Sequence, residues 1–135
     1  MYTVAARTLC NNNQNASNMT DTNLKKEYNF WVYILTNWKK TVFYIGMTND
    51  LSRRLVEHYE NRGKRETFAG RYYCYNLVYY EWYQYVQEAI AREKELKKML
   101  RAHKEALITA ENPEWKFFNA FICGEWPPSS KQSVE

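Results

Sequence analysis

The sequence predicts an α+β domain with a small three-stranded antiparallel sheet flanked by helices, in the order ββαβα. Three features predict this fold class: short runs of β-branched and aromatic residues, polar breaks between those runs, and later stretches with helical periodicity. The 135 residues suffice for one domain with a single core. The longest apolar run, residues 30–35, is far shorter than the roughly 20 residues that cross a membrane, so a transmembrane protein is excluded.

The first half of the domain is predicted to be a hairpin followed by a helix. Residues 30–36 and 41–46 are rich in β-branched and aromatic side chains, and the polar NWKK between them indicates a turn. A helix is predicted over residues 51–60, because Asn49 and Asp50 are favourable N-caps and apolar residues recur at helical spacing after them.

The second half is predicted to be a strand followed by two helices. A basic connecting segment with two glycines, residues 62–70, leads to a third strand at residues 72–82. The strongest helical periodicity covers residues 85–101, and a shorter helix is predicted at residues 103–109. The proline of AENPEW, residues 110–115, then indicates a turn.

Composition divides the chain into three parts. Residues 1–27 are rich in asparagine and lack periodic apolar residues, which predicts a disordered leader, with Met19 as a candidate initiator. Residues 28–122 form the predicted domain, and the prolines and serines of residues 123–135 predict a flexible tail. The three cysteines form no CxxC pair, and there is no secretory signal, so a cytoplasmic location is expected.

The chain is mildly basic, with 19 Lys and Arg against 15 Asp and Glu and a net charge of +4. Positive side chains are densest between residues 53 and 71. Such a patch suits the phosphate backbone of nucleic acid, although a solvated loop is the commoner explanation of a charge cluster. The candidate DNA contacts in this stretch are Arg53, Arg62, Lys64, Arg65 and Arg71.

Polar residues on two predicted helices are candidates for chemistry. Glu93 falls on the apolar stripe of the long helix, where a carboxylate needs a cation or a metal, but a pair with Lys97 at i+4 is the simpler explanation. Arg54 and His58 lie four residues apart on one helix face. Together they are suited to grip a phosphate, and the alternative is that both are solvated.

Two tyrosines of the predicted hairpin are further candidates. Tyr33 and Tyr44 alternate with apolar neighbours, as tyrosines that only pack also do. Tyr44 is followed by Ile45 and Gly46, and a glycine at the end of a strand leaves the backbone open to close approach.

The order of these residues resembles the GIY-YIG nuclease superfamily. The segment WVYILTNWKKTVFYIGMTNDLSRRLVEHY resembles the opening of that family. Residues 32–34 stand at the first motif, with Trp31 in the place of the usual glycine, and residues 44–46 are an intact YIG.

The resemblance extends into both helices. Arg54 follows Tyr44 by ten residues, at the position of the family's catalytic arginine, and His58 stands where the family has His or Tyr. The element EAIARE matches the family's E-A-x-x-x-E pattern and puts Glu93 at the metal-binding glutamate. With NPEW at residues 112–115 the chain resembles the small single-domain bacterial members, and it is also similar to the N-terminal nuclease domain of the excinuclease that belongs to this superfamily.

The resemblance implies a metal-dependent DNA endonuclease that hydrolyses phosphodiester bonds, with branched or damaged DNA in repair or recombination as a candidate substrate. Glu93 would hold one Mg²⁺ or Mn²⁺ ion, and Arg54 would grip the scissile phosphate. Tyr33 or Tyr44 would deprotonate a water if nearby cations lower its pKa, with His58 shuttling a proton. DNA is the expected partner, and a homodimer or a recruiting protein stays open.

The sequence departs from the family pattern at two points, and other functions therefore stay open. Met47 stands where the excinuclease domain has a lysine. Asn112 and Asn119 are both candidates for the family's late asparagine. A nucleic-acid-binding module that has lost catalysis would keep salt-sensitive DNA binding without cleavage. The third function considered is a partner-docking domain that displays aromatic side chains such as Trp38, Tyr83 and Trp126.

Overall fold

The computed structural model describes residues 29–128. Its strands are β1 (Phe30–Thr36), β2 (Phe43–Thr48) and β3 (Asn76–Tyr83). They form one antiparallel sheet in the order β2-β1-β3, which puts the first strand in the centre. This arrangement confirms the predicted α+β class and the three-stranded antiparallel sheet.

Helices flank this sheet. They are α1 (Leu51–Glu60), α2 (Phe68–Arg71), α3 (Val86–Lys98), α4 (Arg101–Glu111) and α5 (Asn119–Cys123). The side chain of Asp50 caps α1 as predicted, because it accepts a hydrogen bond from the backbone N–H of Arg53 at 3.1 Å. The sequence does not predict α2 and α5, because each is too short to show a periodic pattern.

Both later strands begin after their predicted starts. The Asn37 side chain accepts hydrogen bonds from the backbone N–H groups of Thr41 and Val42, which lengthens the turn, so β2 begins two residues after the predicted residue 41. The sequence predicts the third strand from residue 72, but β3 begins at Asn76, because the chain is still turning after α2 and Tyr73 has a positive φ of 56°.

The predicted long helix is interrupted near its end. Met99 and Leu100 have extended backbone angles, so α3 ends at Lys98 and α4 begins at Arg101. The predicted apolar stripe contains Val86, Ala89, Ile90, Leu96 and Leu100. Ala89 and Leu96 are buried, whereas Ile90 and Leu100 are exposed. The inner face of α3 therefore runs from Ala89 through residues 92 and 93 to Leu96.

The sheet separates two hydrophobic clusters, because side chains alternate across a strand. The cluster on the face of α1 contains Trp31, Tyr33, Leu35, Leu51, Leu55, Ala69, Cys74, Leu77 and Tyr80. The cluster on the face of α3 and α4 contains Val32, Ile34, Ile45, Val78, Tyr79, Ala89, Leu96 and Ile108. Tyr33, Tyr44, Arg54 and His58 lie on β1, β2 and α1.

A buried ion pair joins α3 to β3. Glu81 is 1% exposed. Its carboxylate accepts hydrogen bonds from Nε and from a terminal nitrogen of Arg92, each at 2.9 Å. The hydroxyls of Tyr79 and Tyr83 donate to the same carboxylate. This set of hydrogen bonds satisfies a charge that would otherwise be costly to bury, and it fixes the helix that carries Glu93.

Both candidates for the late asparagine are buried and bind backbone groups. The Asn119 side chain accepts from the N–H of Leu77 and donates to the carbonyl of Tyr75, each at 2.8 Å. The Asn112 side chain donates to the carbonyl of Val78 at 3.0 Å. These two side chains tie the C-terminal segments to β3.

The three aromatic residues considered for partner docking have different surroundings. Trp38 is 71% exposed in the turn between β1 and β2. Trp126 packs against Tyr59 with ring centroids 5.3 Å apart, and the hydroxyl of Tyr83 donates to Glu81. Of these residues, Trp38 is therefore the one displayed to solvent.

The domain boundaries proposed from composition stay predictions. The leader at residues 1–27, with Met19, lies outside the described residues, as does the end of the predicted tail after residue 128. Cys74 and Cys123, the cysteines within residues 29–128, are free thiols. None of the helices in this part of the chain has the length and apolar character needed to cross a membrane.

Candidate active site

A buried tyrosine and a buried histidine meet between the sheet and α1. The hydroxyl of Tyr33 on β1 lies 3.0 Å from Nε2 of His58 on α1. Both residues are almost fully buried, Tyr33 at 1% and His58 at 7% exposure. The sequence pattern places the two residues 25 positions apart, and the packing of α1 on the sheet makes them a hydrogen-bonded pair.

Gly46 makes room for this pair. It lies opposite Tyr33 in the β1–β2 register, and a Cβ at this position would be 2.5 Å from the Tyr33 hydroxyl. Tyr33 therefore extends across the backbone of β2, which a larger residue would block. The predicted close approach at Gly46 is made by the protein's own tyrosine.

Burial sets the protonation of both residues. It raises the pKa of Tyr33 well above its usual value, with a further increase from Tyr44, and the opposing effect of Arg54 is smaller. Burial also lowers the pKa of His58 to about 4, assisted by the positive charge of Arg54. At neutral pH the pair is thus a phenol and an uncharged imidazole. The condition that nearby cations lower the pKa of the tyrosine is not met at Tyr33 in the protein alone.

Tyr44 lies on the outer side of the same pair. Its ring centroid is 5.2 Å from that of His58 in an edge-on arrangement and 6.4 Å from that of Tyr33. On its other side the ring stacks on Phe68 of α2 at 6.4 Å. Tyr44 is therefore the more accessible tyrosine of the two.

Arg54 lies next to Tyr33 and His58, and both Arg54 and Arg53 pair with the carboxylate of Glu57. Its guanidinium is 2.8 Å from one oxygen of Glu57, and that of Arg53 is 2.8 Å from the other. These arginines lower the pKa of Glu57, Arg54 most strongly through its hydrogen bond. Burial by itself would lower the pKa of Arg54, but the hydrogen bond to Glu57 and the nearby Tyr33 hydroxyl raise it. The Arg54 side chain is 36% exposed, which leaves it within reach of a ligand.

Glu93 lies on α3, which packs on the face of the sheet opposite to α1. Its carboxylate is 3.2 Å from Nζ of Lys97, which is the pair that the simpler explanation of the sequence expects. The side chain is only 21% exposed, and its charge contributes to the raised pKa of Tyr33. Glu93 therefore acts electrostatically on the tyrosine pair while remaining partly open to solvent.

A divalent ion fits this donor set when substrate completes it. Residues 29–128 contain no cluster of three or more Asp, Glu, His or Cys side chains that would hold a metal alone. Mg²⁺ is commonly bound by one or two carboxylates together with phosphate oxygens and waters, and Glu93 supplies one carboxylate. One such carboxylate is compatible with a divalent ion whose other ligands come from substrate and water.

The basic residues lie on the surface beside this site. Arg62 stacks on the ring of Tyr59 at 3.8 Å and donates to the Tyr59 carbonyl, and Arg71 donates to the carbonyl of Arg65 at 3.1 Å. The five predicted DNA contacts, all exposed, are Arg53, Arg62, Lys64, Arg65 and Arg71.

Sequence reasoning missed two neighbours of the site. Glu57 lies three residues after Arg54 and four after Arg53, a spacing that would have revealed both ion pairs. Phe68 contacts Tyr44 through a turn of chain that no periodicity predicts. Met47, which follows the YIG motif, packs against the cluster beneath α3 and brings no charge to the tyrosine pair.

A family profile described as the GIY-YIG catalytic domain matches residues 29–106 of the chain. The matched region contains the whole sheet, α1 and α3, and every residue of the site described above. The chain belongs to the GIY-YIG family. The predicted family is thereby confirmed, and a GIY-YIG catalytic domain implies nuclease activity.

Two relatives align with this GIY-YIG protein over most of the relatives' own length. A UPF0213 protein of Clostridium perfringens is 37% identical over 82 residues, which cover 61% of this chain and 85% of the relative. A UPF0213 protein of Natronomonas pharaonis is 36% identical over 81 residues, which cover 60% of this chain and 92% of the relative. No solved structure gives a significant match.

Proposed function

We propose that this GIY-YIG protein is a metal-dependent endonuclease that hydrolyses phosphodiester bonds in DNA. The observation that supports this most strongly is the contact between the buried Tyr33 hydroxyl and Nε2 of His58, with Arg54 beside it. Gly46 leaves space for the Tyr33 hydroxyl, which lies against the uncharged His58 and beside Arg54. Core packing alone does not require this arrangement of polar groups.

Arg54 is proposed to bind the scissile phosphate. Hydrolysis places growing negative charge on the phosphate oxygens, and a guanidinium can donate to two of them at once. In the protein alone Glu57 accepts the hydrogen bond from Arg54. The same carboxylate is also held by Arg53, so Glu57 keeps a partner when Arg54 turns to the phosphate.

Tyr33 and His58 are proposed to remove the proton of the attacking water. With the imidazole proton on Nδ1, Nε2 of His58 accepts the hydrogen bond of the Tyr33 hydroxyl. As the Tyr33 oxygen takes a proton from water, its own proton can pass to Nε2. This route needs no free phenolate, which the raised pKa of Tyr33 disfavours. It forms an imidazolium, which the lowered pKa of His58 disfavours in the protein alone, so the relay requires the negative charge of the bound phosphate nearby. Tyr44, at the mouth of the site, is the alternative base.

Glu93 is proposed to hold Mg²⁺ or Mn²⁺ together with the phosphate of the substrate. When bound, such an ion supplies positive charge that stabilises the leaving oxygen. Glu93 suits this role because its carboxylate lies on the inner side of α3 and is only partly exposed. The buried pair of Arg92 with Glu81 keeps this helix in position.

The exposed basic residues are proposed to hold the DNA backbone on either side of the cut. They are Arg53, Arg62, Lys64, Arg65 and Arg71, and such contacts position DNA without reading its sequence. Action on branched or damaged DNA in repair or recombination, and a cytoplasmic location, remain part of this proposal. A homodimer or a recruiting protein would supply recognition of a particular DNA site beyond these backbone contacts.

A catalytically inactive DNA-binding module is the second candidate. Two observations favour it: burial raises the pKa of Tyr33, and the residue after the YIG motif is an uncharged methionine, Met47. This candidate keeps salt-sensitive binding and predicts no cleavage under any metal condition.

Cleavage assays distinguish the two candidates. The full chain is incubated with supercoiled plasmid and with a labelled branched DNA, in Mg²⁺, in Mn²⁺ and in EDTA. The endonuclease predicts nicking in either metal and none in EDTA. Salt-sensitive binding without nicking would support the inactive module, and no binding at all would contradict both.

A pair of adjacent arginines then tests the proposed contact with phosphate. Arg54→Ala is expected to lower the single-turnover rate by about a hundredfold or more, the effect of removing one donor to a transition-state oxyanion. Arg53→Ala removes an equally charged side chain from the same helix and the same carboxylate. It is expected to weaken binding while changing the rate at saturating protein much less than Arg54→Ala. Equal effects on that rate would contradict the assignment of Arg54.

A further inference from the structure

Two aromatic rings are exposed at the mouth of the candidate active site. Phe68 is 47% exposed and Tyr72 is 41% exposed, and their ring centroids lie 4.8 Å apart. Phe68 also stacks on Tyr44, with 24° between the ring planes. A continuous row of rings thus leads from the buried His58 through Tyr44 to the surface.

The backbone that carries these rings is held rigidly. The N–H of Gly63 donates to the carbonyl of Gly70 at 2.8 Å, which closes the segment on itself. A Cβ on Gly70 would lie 2.6 Å from the carbonyl oxygen of Lys64, so the two chain segments are in direct contact. The Thr67 side chain caps the short helix α2. The rings are therefore pre-positioned, which lowers the entropy lost when they bind a ligand.

The surroundings of the rings are strongly basic. Residues 61–73 contain four basic side chains and one acidic side chain, Glu66. Arg71 lies 5.9 Å from the ring centroid of Tyr72, and it is anchored to the carbonyl of Arg65. Exposed aromatic rings set among basic side chains suit a ligand that is both flat and negatively charged along one side.

We propose that Phe68 and Tyr72 form a stacking platform for an unpaired nucleobase of the DNA substrate. The proposal rests on the proposed function, because the platform adjoins the site where Arg54 would hold the phosphate. In a duplex the faces of the bases are covered by their neighbours, so a ring platform can engage only bases that are single-stranded or have left the stack. The platform therefore favours DNA with an unpaired nucleotide next to the cleaved bond, such as a branched DNA or a negatively supercoiled plasmid that opens locally.

Binding measured without metal tests the platform independently of cleavage. Fluorescence anisotropy in EDTA compares the full chain on a labelled oligothymidine and on a duplex of equal length at the same salt concentration. Phe68→Ala and Tyr72→Ala are each expected to weaken single-strand binding about tenfold, the effect of removing one stacking ring. Binding to the duplex is expected to change less than about twofold. Phe68→Trp, which keeps an aromatic ring at this position, is expected to keep the single-strand affinity of the wild type.

Trp38→Ala is the matched control. Trp38 is also an exposed aromatic residue beside a basic one, Lys39, whose Nζ lies 5.6 Å from the centre of its ring, but it lies in the turn between β1 and β2. It is expected to leave single-strand affinity unchanged. Tyr72→Ala is the second test because Tyr72, unlike Phe68, does not stack on Tyr44, so its removal leaves that tyrosine supported.

The two proposals fail in different ways. Equal losses on single strand and duplex, or no loss on either, would overturn the platform even if metal-dependent cleavage is observed. A single-strand loss confined to Phe68→Ala and Tyr72→Ala would support the platform even if no cleavage is found. Binding of an acidic protein with no affinity for oligothymidine would also overturn it, since the rings would then belong to a protein interface.

Discussion

The hydroxyl of Tyr33 lies 3.0 Å from Nε2 of His58, and neither residue has a charged form that is favoured at neutral pH. β1 supplies the tyrosine and α1 supplies the histidine, and the glycine at position 46 lets the tyrosine cross β2. This relationship joins the YIG motif to the helix that follows it. It explains why the motif has a glycine at position 46, since a Cβ there would lie 2.5 Å from the Tyr33 hydroxyl.

Removing the Tyr33 hydroxyl tests its part in the reaction. Tyr33→Phe is expected to lower the single-turnover cleavage rate by about a hundredfold or more, in the range of lost general acid–base catalysis. Tyr44→Phe, measured in parallel, is expected to lower it less. A larger loss from Tyr44→Phe would move the base to Tyr44, and no loss from either would contradict the mechanism.

Tyr80→Phe is the matched control and is itself a prediction about stability. The Tyr80 hydroxyl is buried and finds no hydrogen-bond partner among residues 29–128. Its removal is expected to raise the free energy of unfolding by about 1 kcal/mol, because an unpaired buried hydroxyl is unfavourable. Urea unfolding checks this value, and cleavage activity should stay at the wild-type level. A loss of stability would show that this hydroxyl has a partner in solution.

Gly46→Ala is expected to affect the site through Tyr33. The added methyl would lie 2.5 Å from the Tyr33 hydroxyl, and the buried ring has little freedom to move. We expect a loss of stability of about 1–3 kcal/mol and a fall in cleavage rate similar to that of Tyr33→Phe. The double variant should cleave no more slowly than the slower single variant, because both changes remove the same contact. Additive losses of rate would contradict this explanation.

The low pKa of His58 predicts a loss of stability in acid. Folded His58 has a pKa of about 4, below its ordinary value of 6.5, so the unfolded chain takes up this proton first as the pH falls. The stabilisation is complete above pH 6.5 and declines between that pH and about 4, by up to roughly 3 kcal/mol. Urea unfolding at pH 7 and pH 4.5 measures it. The decline should be smaller in His58→Gln, and an equal decline would contradict the assignment to His58.

The pair of Arg92 with Glu81 predicts a large structural effect. Arg92→Met leaves the fully buried Glu81 carboxylate without its cation, which is expected to cost about 3–5 kcal/mol in the free energy of unfolding. Lys116→Met is the control, because Lys116 forms an exposed pair with Glu114 and should cost less than about 1 kcal/mol. Similar losses in the two variants would show that the Glu81 charge is not buried in solution.

The sequence predicted the sheet and the long helices because their patterns are local. The run of β-branched and aromatic residues in β1 and the N-cap at Asp50 can be recognised from a few neighbouring residues. The break at Met99 and the short helix α2 depend on tertiary packing, so periodicity missed them. The resemblance supplied the residues of the site. Their protonation depends on burial, which the sequence does not reveal. Nearby cations are the condition for a lowered tyrosine pKa, and burial outweighs Arg54 at Tyr33.

One measurement tests the central claim most directly. Nicking of supercoiled plasmid is followed across a Mg²⁺ titration for wild type, Glu93→Gln and Glu95→Gln. Glu95 is the control because it is an exposed carboxylate on the same helix and lies outside the EAIARE element. The account predicts that Glu95→Gln cleaves like wild type, whereas Glu93→Gln loses cleavage at all Mg²⁺ concentrations or needs far more of the ion. Wild-type cleavage by Glu93→Gln, or cleavage that persists in EDTA, would contradict it.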